Sequence, residues 1–235
     1  MKTIGLIGGL SWESTTEYYR HINRIMNERL GSLHSAKCLL YSLDFEEIVK
    51  LQERGDWEEA TRIMVESARI LEKGGADVVV ICTNTMHKMA DEVQAAIRIP
   101  LLHIVDVTAE RIKKQGLTKV GVLGTRYTME QAFYRERLNR HGIEVIIPES
   151  DERDLIHGVL RNELFKGNCL PESRAKFIAI IERLHAQGAE GIVLGCTEIP
   201  LLIQQQDTRI PLFDTTRIHA EESVEFAIAS NYVMS

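Results

Sequence analysis

The chain has little that would tie it to a membrane, a metal framework or nucleic acid. Its N-terminal apolar run, within MKTIGLIGGLSWES, reaches Glu13 before 18 apolar residues have accumulated. It therefore fits neither a signal peptide nor a membrane helix, and reads as a buried first strand. Basic charge is in deficit, with 28 Lys+Arg against 34 Asp+Glu and a net charge of −6. That balance offers no general attraction to phosphate backbones or anionic lipid, so no nucleic-acid or membrane partner is expected. The four cysteines, Cys38, Cys82, Cys169 and Cys196, show neither C-x-x-C nor zinc-knuckle spacing. Reduced thiols in a cytoplasmic protein are the reading. His87, His103 and His219 fall on separate predicted elements with no His-x-x-x-His or carboxylate framework, so structural or supporting roles are expected and no metal. A dinucleotide fingerprint is also missing. Gly5, Gly8 and Gly9 lack the G-x-G-x-x-G spacing, and Asp44 comes well beyond the roughly 20 residues that such a site requires.

What is present is ordinary globular composition, 44% hydrophobic and 26% charged, over 235 residues. This excludes a disordered chain and exceeds the roughly 100–150 residues of a typical small domain. Short apolar, β-branched runs at 3–7, 37–42, 77–81, 101–104, 119–123, 144–147, 191–194 and 211–213 read as strands. Stretches such as 57–73 and 174–187 show helical periodicity. Such alternation predicts an α/β fold with parallel sheets covered by helices on both faces.

A repeat runs through the pattern. TIGLIGG at 3–9 resembles KVGVLGT at 119–125, VVICTNT at 79–85 resembles IVLGCTE at 192–198, and IPLLHIVDVTAE at 99–110 resembles IPLFDTTRIHAE at 210–221. Three segments in the same order and at nearly constant offset predict two pseudo-symmetric, doubly wound halves. The expected division is 1–114, completed by a C-terminal helix over 215–235, and 115–214. Ligands of open α/β sheets bind beyond the carboxyl ends of strands. Facing halves would thus bring 8–14, 83–85, 124–125 and 196–198 around one shared ligand, with the active site between them. For the glycine turn, a plain strand-to-helix connection is the competing reading.

Cys196 follows the strand IVLG and precedes Thr197 and Glu198. It is expected at a helix start, where the dipole and free N–H groups lower a thiol pKa. A small buried hydrophobe is the alternative for a lone cysteine, and the repeated frame favours the first reading. Ungapped alignment of the repeats sets Thr83, not Cys82, opposite Cys196. Strand alternation turns Cys82 the other way, into the core.

The motifs GGLSWEST at 8–15, CTNTMHK at 82–88, LGTRYTM at 123–129, GCTEI at 195–199 and IHAEE at 218–222 cover nearly the whole chain. Through them the sequence resembles the aspartate/glutamate racemase superfamily, and more closely the racemases of acidic amino acids. The resemblance implies racemisation of aspartate or glutamate without pyridoxal phosphate or any other cofactor. In that mechanism two opposed acid/base groups flank the α-carbon, Cys196 deprotonating the L-substrate. The family's first catalytic cysteine is replaced here by Thr83, a far weaker acid and a poor base. It implies further that Asn84, Thr85, Thr197 and the backbone beside Glu198 hold the α-carboxylate and amine. Ser11 and the Leu10 backbone would lie nearby, and Thr125 takes the frame position of Gly9. Gln52 is a candidate carboxylate donor from a mobile loop, or else a solvated helix residue.

Two readings compete with the racemase. A single-thiol site also resembles arylmalonate-type decarboxylases, and loss of one thiol would fit a carboxylate-binding protein without turnover. The expected partner is a small dicarboxylic amino acid, and a homodimer is admitted as the assembly. Trp12, Trp57 and the Tyr18–Tyr19 pair are expected to pack core or subunit surfaces.

Overall fold

The computed structural model describes residues 1–229. The chain divides into two compact units, Met1–His103 joined by the chain from His219 onward, and Ile104–Ile218. Positions 230–235 of the expected C-terminal helix lie outside the described residues.

In the first unit, β1 (Ile4–Gly8), β2 (Cys38–Ser42), β3 (Val78–Ile81) and β4 (Leu101–Leu102) form one parallel sheet in the order β2-β1-β3-β4. Every residue of β1 and β3 is buried, as central parallel strands covered on both faces require. Burying each Val, Ile or Leu side chain contributes roughly 1.5–3 kcal/mol. Side chains alternate between the two faces. Ile7, Val79 and Ile81 pack with Met64, Ala68 and Leu71 of α3 (Trp57–Lys73). Ile4, Leu6, Val78 and Val80 pack with Tyr18, Ile22 and Met26 of α1 (Trp12–Leu30), and with Ala220, Val224 and Ala227 of α11 (Thr215–Ile228). Helix α2 (Phe45–Arg54) starts at Asp44, whose carboxylate accepts from the Glu46 N–H. A 3-10 turn over Thr85–Met89 leads into α4 (Ala90–Ala95).

The second unit repeats the plan. Strands β5 (Lys119–Gly124), β6 (Glu144–Ile146), β7 (Gly191–Gly195) and β8 (Leu212–Asp214) are parallel in the order β6-β5-β7-β8. On one face, Val120, Val122, Val193 and Phe213 meet Ile104, Val105, Ala109 and Ile112 of α5 (Ile104–Lys114), with Tyr134 and Leu138 of α7 (Ala132–Arg140). On the other, Leu123, Ile192 and Leu194 meet α8 (Ser150–Asn162) and α9 (Pro171–Ala186) through Ile156, Leu160, Phe177, Ile181 and Leu184. Two short helices, α6 (Arg126–Glu130) and α10 (Ile199–Leu202), follow the tips of β5 and β7.

All eight expected strands are found, and the matched repeat segments occupy equivalent places in two sheets of identical order. The sheets are the two doubly wound halves of the expected α/β fold. Helix α9 begins at Pro171, whose missing N–H and fixed φ suit the first helical position, so it starts ahead of the expected 174. The expected divide after 114 is corrected to His103/Ile104, because the apolar face of α5 packs on β5 and not on the first sheet. Likewise the first unit regains the chain at His219 rather than at 215.

Candidate active site

In the first unit the tips of β1 and β3 lie side by side, since Ile7 pairs with Ile81. Gly8–Ser11 and Cys82–Thr85 therefore share one edge of the sheet. The turn after β1 is locked by short-range bonds. The Gly9 N–H donates to Thr15 Oγ1 at 2.9 Å, and that hydroxyl donates to the Ser11 carbonyl at 2.9 Å. Ser14 Oγ lies 3.1 Å from the Ser11 carbonyl and 3.2 Å from the Cys82 carbonyl, which ties the start of α1 to the β3 tip. Ser11 is the N-cap of α1, its side chain accepting from the Ser14 N–H. Gly9 has φ +75°, and a Cβ there would collide with the Leu43 backbone, so the turn requires glycine.

Thr83 is half-buried, with Asn84 and Thr85 buried beside it. Its N–H donates to the Ile81 carbonyl at 2.9 Å, and its own carbonyl lies 2.7 Å from His87 Nδ1. Cys82 lies fully buried in the core formed by β1, β3, α1 and α11, on the side away from Ile81, and burial pushes its thiol pKa far up. Gln52 sits in the last turn of α2, half-buried, and its amide lies 3.3 Å from Met86 Sδ. Of the two expected placements, a mobile loop and a helix, the structure has the helix, which the apolar residues Ile48 and Leu51 seat against the sheet core. Leu10, Ser11, Gln52, Thr83, Asn84 and Thr85 all belong to this unit.

The second unit carries Thr125, Cys196, Thr197 and Glu198. Gly124 pairs with Gly195, and a Cβ on Gly124 would lie 2.7 Å from the Gly195 carbonyl oxygen. The glycine pair lets the two strand tips close up, and Thr125 and Cys196 are the residues that follow these paired strand ends. Thr125 caps α6, accepting from the Thr128 N–H. Thr215, at the start of α11, donates to the Leu194 carbonyl at 2.8 Å and braces the end of β7.

Cys196, Thr197 and Glu198 are buried, with Glu198 only 1% exposed. The Cys196 thiol donates to Glu198 Oε2 at 3.1 Å, and the Thr197 hydroxyl donates to the same oxygen at 2.7 Å. A buried carboxylate thus holds the proton of the buried thiol. The thiol pKa is raised well above its ordinary value, first by burial and then by the negative charge of Glu198; backbone N–H groups oppose this only in part. The expected lowering by a helix dipole is corrected. Helix α10 is a single turn that begins at Ile199 with Glu198 as its N-cap, so Cys196 stands outside it and next to a carboxylate.

Sequence reasoning did not single out the carboxylate of Glu198 as the thiol's partner, nor His87 as the partner of Thr83. The first was signalled by the two-residue spacing of Cys196 and Glu198 past a strand end. The second was signalled by the four-residue spacing of Thr83 and His87, one turn apart.

His219 is fully buried and its two ring nitrogens contact Tyr18 Oη at 2.9 Å and the Leu102 carbonyl at 3.0 Å. Burial, with the nearby His87, lowers its pKa to about 3. No group of His, Cys, Asp and Glu suited to a metal ion occurs among the described residues, and no described helix is long and apolar enough to cross a membrane. Tyr18 is core, whereas Trp12 and Tyr19 are exposed.

The sequence matches the Asp/Glu/hydantoin racemase family over residues 7–223. It is 29% identical over 174 residues to the broad specificity amino-acid racemase RacX of Bacillus subtilis (strain 168), covering 74% of this chain and 75% of that one. The structure superposes on that of a candidate Asp/Glu racemase from Yersinia pestis with a TM-score of 0.91 and 52% identity, covering 97% of this chain and 100% of the other. It superposes on an aspartate racemase homologue from Pyrococcus horikoshii OT3 with a TM-score of 0.86 and 36% identity, covering 97% and 99%.

Proposed function

The chain belongs to the Asp/Glu/hydantoin racemase family, whose relatives named above include amino-acid racemases, and from that premise we propose that it inverts the α-carbon of aspartate and glutamate without a cofactor. The observation that carries this reading is the hydrogen bond from the Cys196 thiol to Glu198, an acid and its base buried together at a strand tip. In the proposed step the thiol proton passes to the Glu198 carboxylate, and the sulfur, now a thiolate, takes the α-proton of the L-substrate. The carbanion then takes a proton on its other face from a hydroxyl or a water, for which the repeat frame nominates Thr83, and the proton parked on Glu198 returns through solvent to the base so formed, which restores the starting state. Asn84, Thr85, Thr197, Ser11 and the Leu10 and Glu198 backbones would hold the carboxylates and amine, with Thr125 and Gln52 as further donors.

The two enantiomers have equal free energy, so kcat/KM must match in both directions. The weakness of Thr83 therefore shows as inversion that lags behind proton exchange at the Cys196 side. The test is to incubate L-aspartate, L-glutamate and a disubstituted malonate with the protein in deuterium oxide and follow α-deuteration, chirality and CO₂. The expected result is α-deuteration that Cys196→Ala abolishes, with slower inversion. No deuteration of either amino acid overturns the racemase; CO₂ release from the malonate would favour a single-thiol decarboxylase instead.

A further inference from the structure

Three buried histidines meet in the first unit, and the racemase reading uses none of them. The ring centroid of His87 lies 4.7 Å from that of His103 and 5.6 Å from that of His219. All three are at most 6% exposed. They do not form a metal cluster, and the ring of His87 is committed to a neighbour on the site. Its Nδ1 lies 2.7 Å from the Thr83 carbonyl oxygen. A carbonyl only accepts, so Nδ1 carries a proton and the ring donates to Thr83.

Building on the racemase reading, we propose that His87 is a positioning residue that fixes the orientation of Thr83. The Thr83 peptide is held from both sides, its N–H by the Ile81 carbonyl and its carbonyl by the His87 ring. Those two bonds set the backbone torsions of Thr83 and hence the direction in which its hydroxyl leaves the chain. The bond closes one turn, because the His87 N–H also donates to the Asn84 carbonyl at 3.1 Å. Asn84 thus shares the same scaffold.

The other two histidines keep the His87 ring from swinging. His219 donates from Nε2 to the Leu102 carbonyl and accepts at Nδ1 from the Tyr18 hydroxyl. Its orientation is therefore set by α1 and β4 before it meets His87. His103 follows β4 directly and closes on His87 from a tilted angle. A ring held in this way transmits its position to Thr83, and a loosely held one would not.

The experiment compares His87→Ala with His87→Asn, because an asparagine amide nitrogen can replace imidazole Nδ1 as the donor. In deuterium oxide, His87→Ala should slow inversion about tenfold or more relative to α-deuteration of the L-substrate, with deuteration through Cys196 kept within about threefold. His87→Asn should restore most of the inversion. A role confined to general stability would lower exchange and inversion together and would not distinguish Ala from Asn; that result overturns the proposal. Amide hydrogen exchange of the 83–89 segment without substrate is the second readout. His87→Ala should raise it about tenfold or more, and His87→Asn should not. Equal protection in the wild type and His87→Ala overturns the proposal even where the wild type racemises. An unprotected segment in His87→Ala, together with a wild type that deuterates neither amino acid, keeps the positioning bond and discards the racemase.

Discussion

The Cys196 thiol and the Glu198 carboxylate share one proton across 3.1 Å inside a buried strand tip, and Thr197 donates to the same carboxylate oxygen. The carboxylate both raises the thiol pKa and provides the place to which the proton goes. These two effects pull a substitution in opposite directions. Glu198→Gln removes the negative charge, so the thiol should become more acidic, visible as a lower midpoint in the pH dependence of alkylation. It also removes the proton acceptor, so α-deuteration should fall by about 10²–10⁴. A thiol that turns more acidic and exchanges as fast as before would remove Glu198 from the chemistry.

Thr83 stands where the repeat aligns with Cys196, and a hydroxyl is a poor donor and acceptor of protons near neutral pH. Thr83→Cys should raise inversion of either acidic amino acid by about tenfold or more while leaving α-deuteration of the L-enantiomer little changed. Chiral analysis over time measures both. An unchanged ratio of inversion to deuteration would show that the frame linking Thr83 to Cys196 is wrong.

Gly9 and Gly55 both have positive φ, but only Gly9 lacks room for a side chain. Gly55→Ala, at φ +70° with open space around it, should cost about 1 kcal/mol from the backbone alone. Gly9→Ala must also displace Leu43 and should cost about 2–3 kcal/mol or more. Urea unfolding separates them, and equal losses would mean that the β1 turn yields as easily as an open surface turn.

His219 stays neutral in the folded protein down to a pKa of about 3, against an ordinary 6.5. Below about 6.5 the unfolded chain takes up a proton that the folded chain refuses, so stability falls as the pH drops toward 3 and is unaffected by this group above 7. Its share of the slope is about 1.4 kcal/mol per pH unit. His219→Gln keeps a donor for the Leu102 carbonyl and should flatten the loss of stability between pH 6 and 4, as measured by urea unfolding at each pH. Parallel curves for the two proteins would place the acid-sensitive group elsewhere.

The sheets were legible because their signals are local. Runs such as Val78–Ile81 are apolar at every position, and the repeat carried their order from one half to the other. The fourth strand shows where that fails. LLHIV is apolar across a strand end and a helix start, and periodicity alone does not separate β4 from α5. Which sheet α5 would cover was equally hidden, because Ile104, Val105, Ala109 and Ile112 define an apolar face without naming its partner. At the site, the residue types around Cys196 could be read in order, but not the sign of its pKa shift. Burial depends on the whole fold, and a carboxylate two residues away becomes a hydrogen-bond partner only when the backbone turns sharply after β7.

Helix α11 starts in the second unit and ends by plugging the first with Ala220, Val224 and Ala227. A ribosome therefore releases this closing piece of the first unit only after the whole of the second. The contiguous stretch 104–218 can close while the earlier residues still wait, so the order of completion runs against the order of synthesis. His219 belongs to that late piece, and the ring packed against His87 is among the last parts of the first unit to arrive.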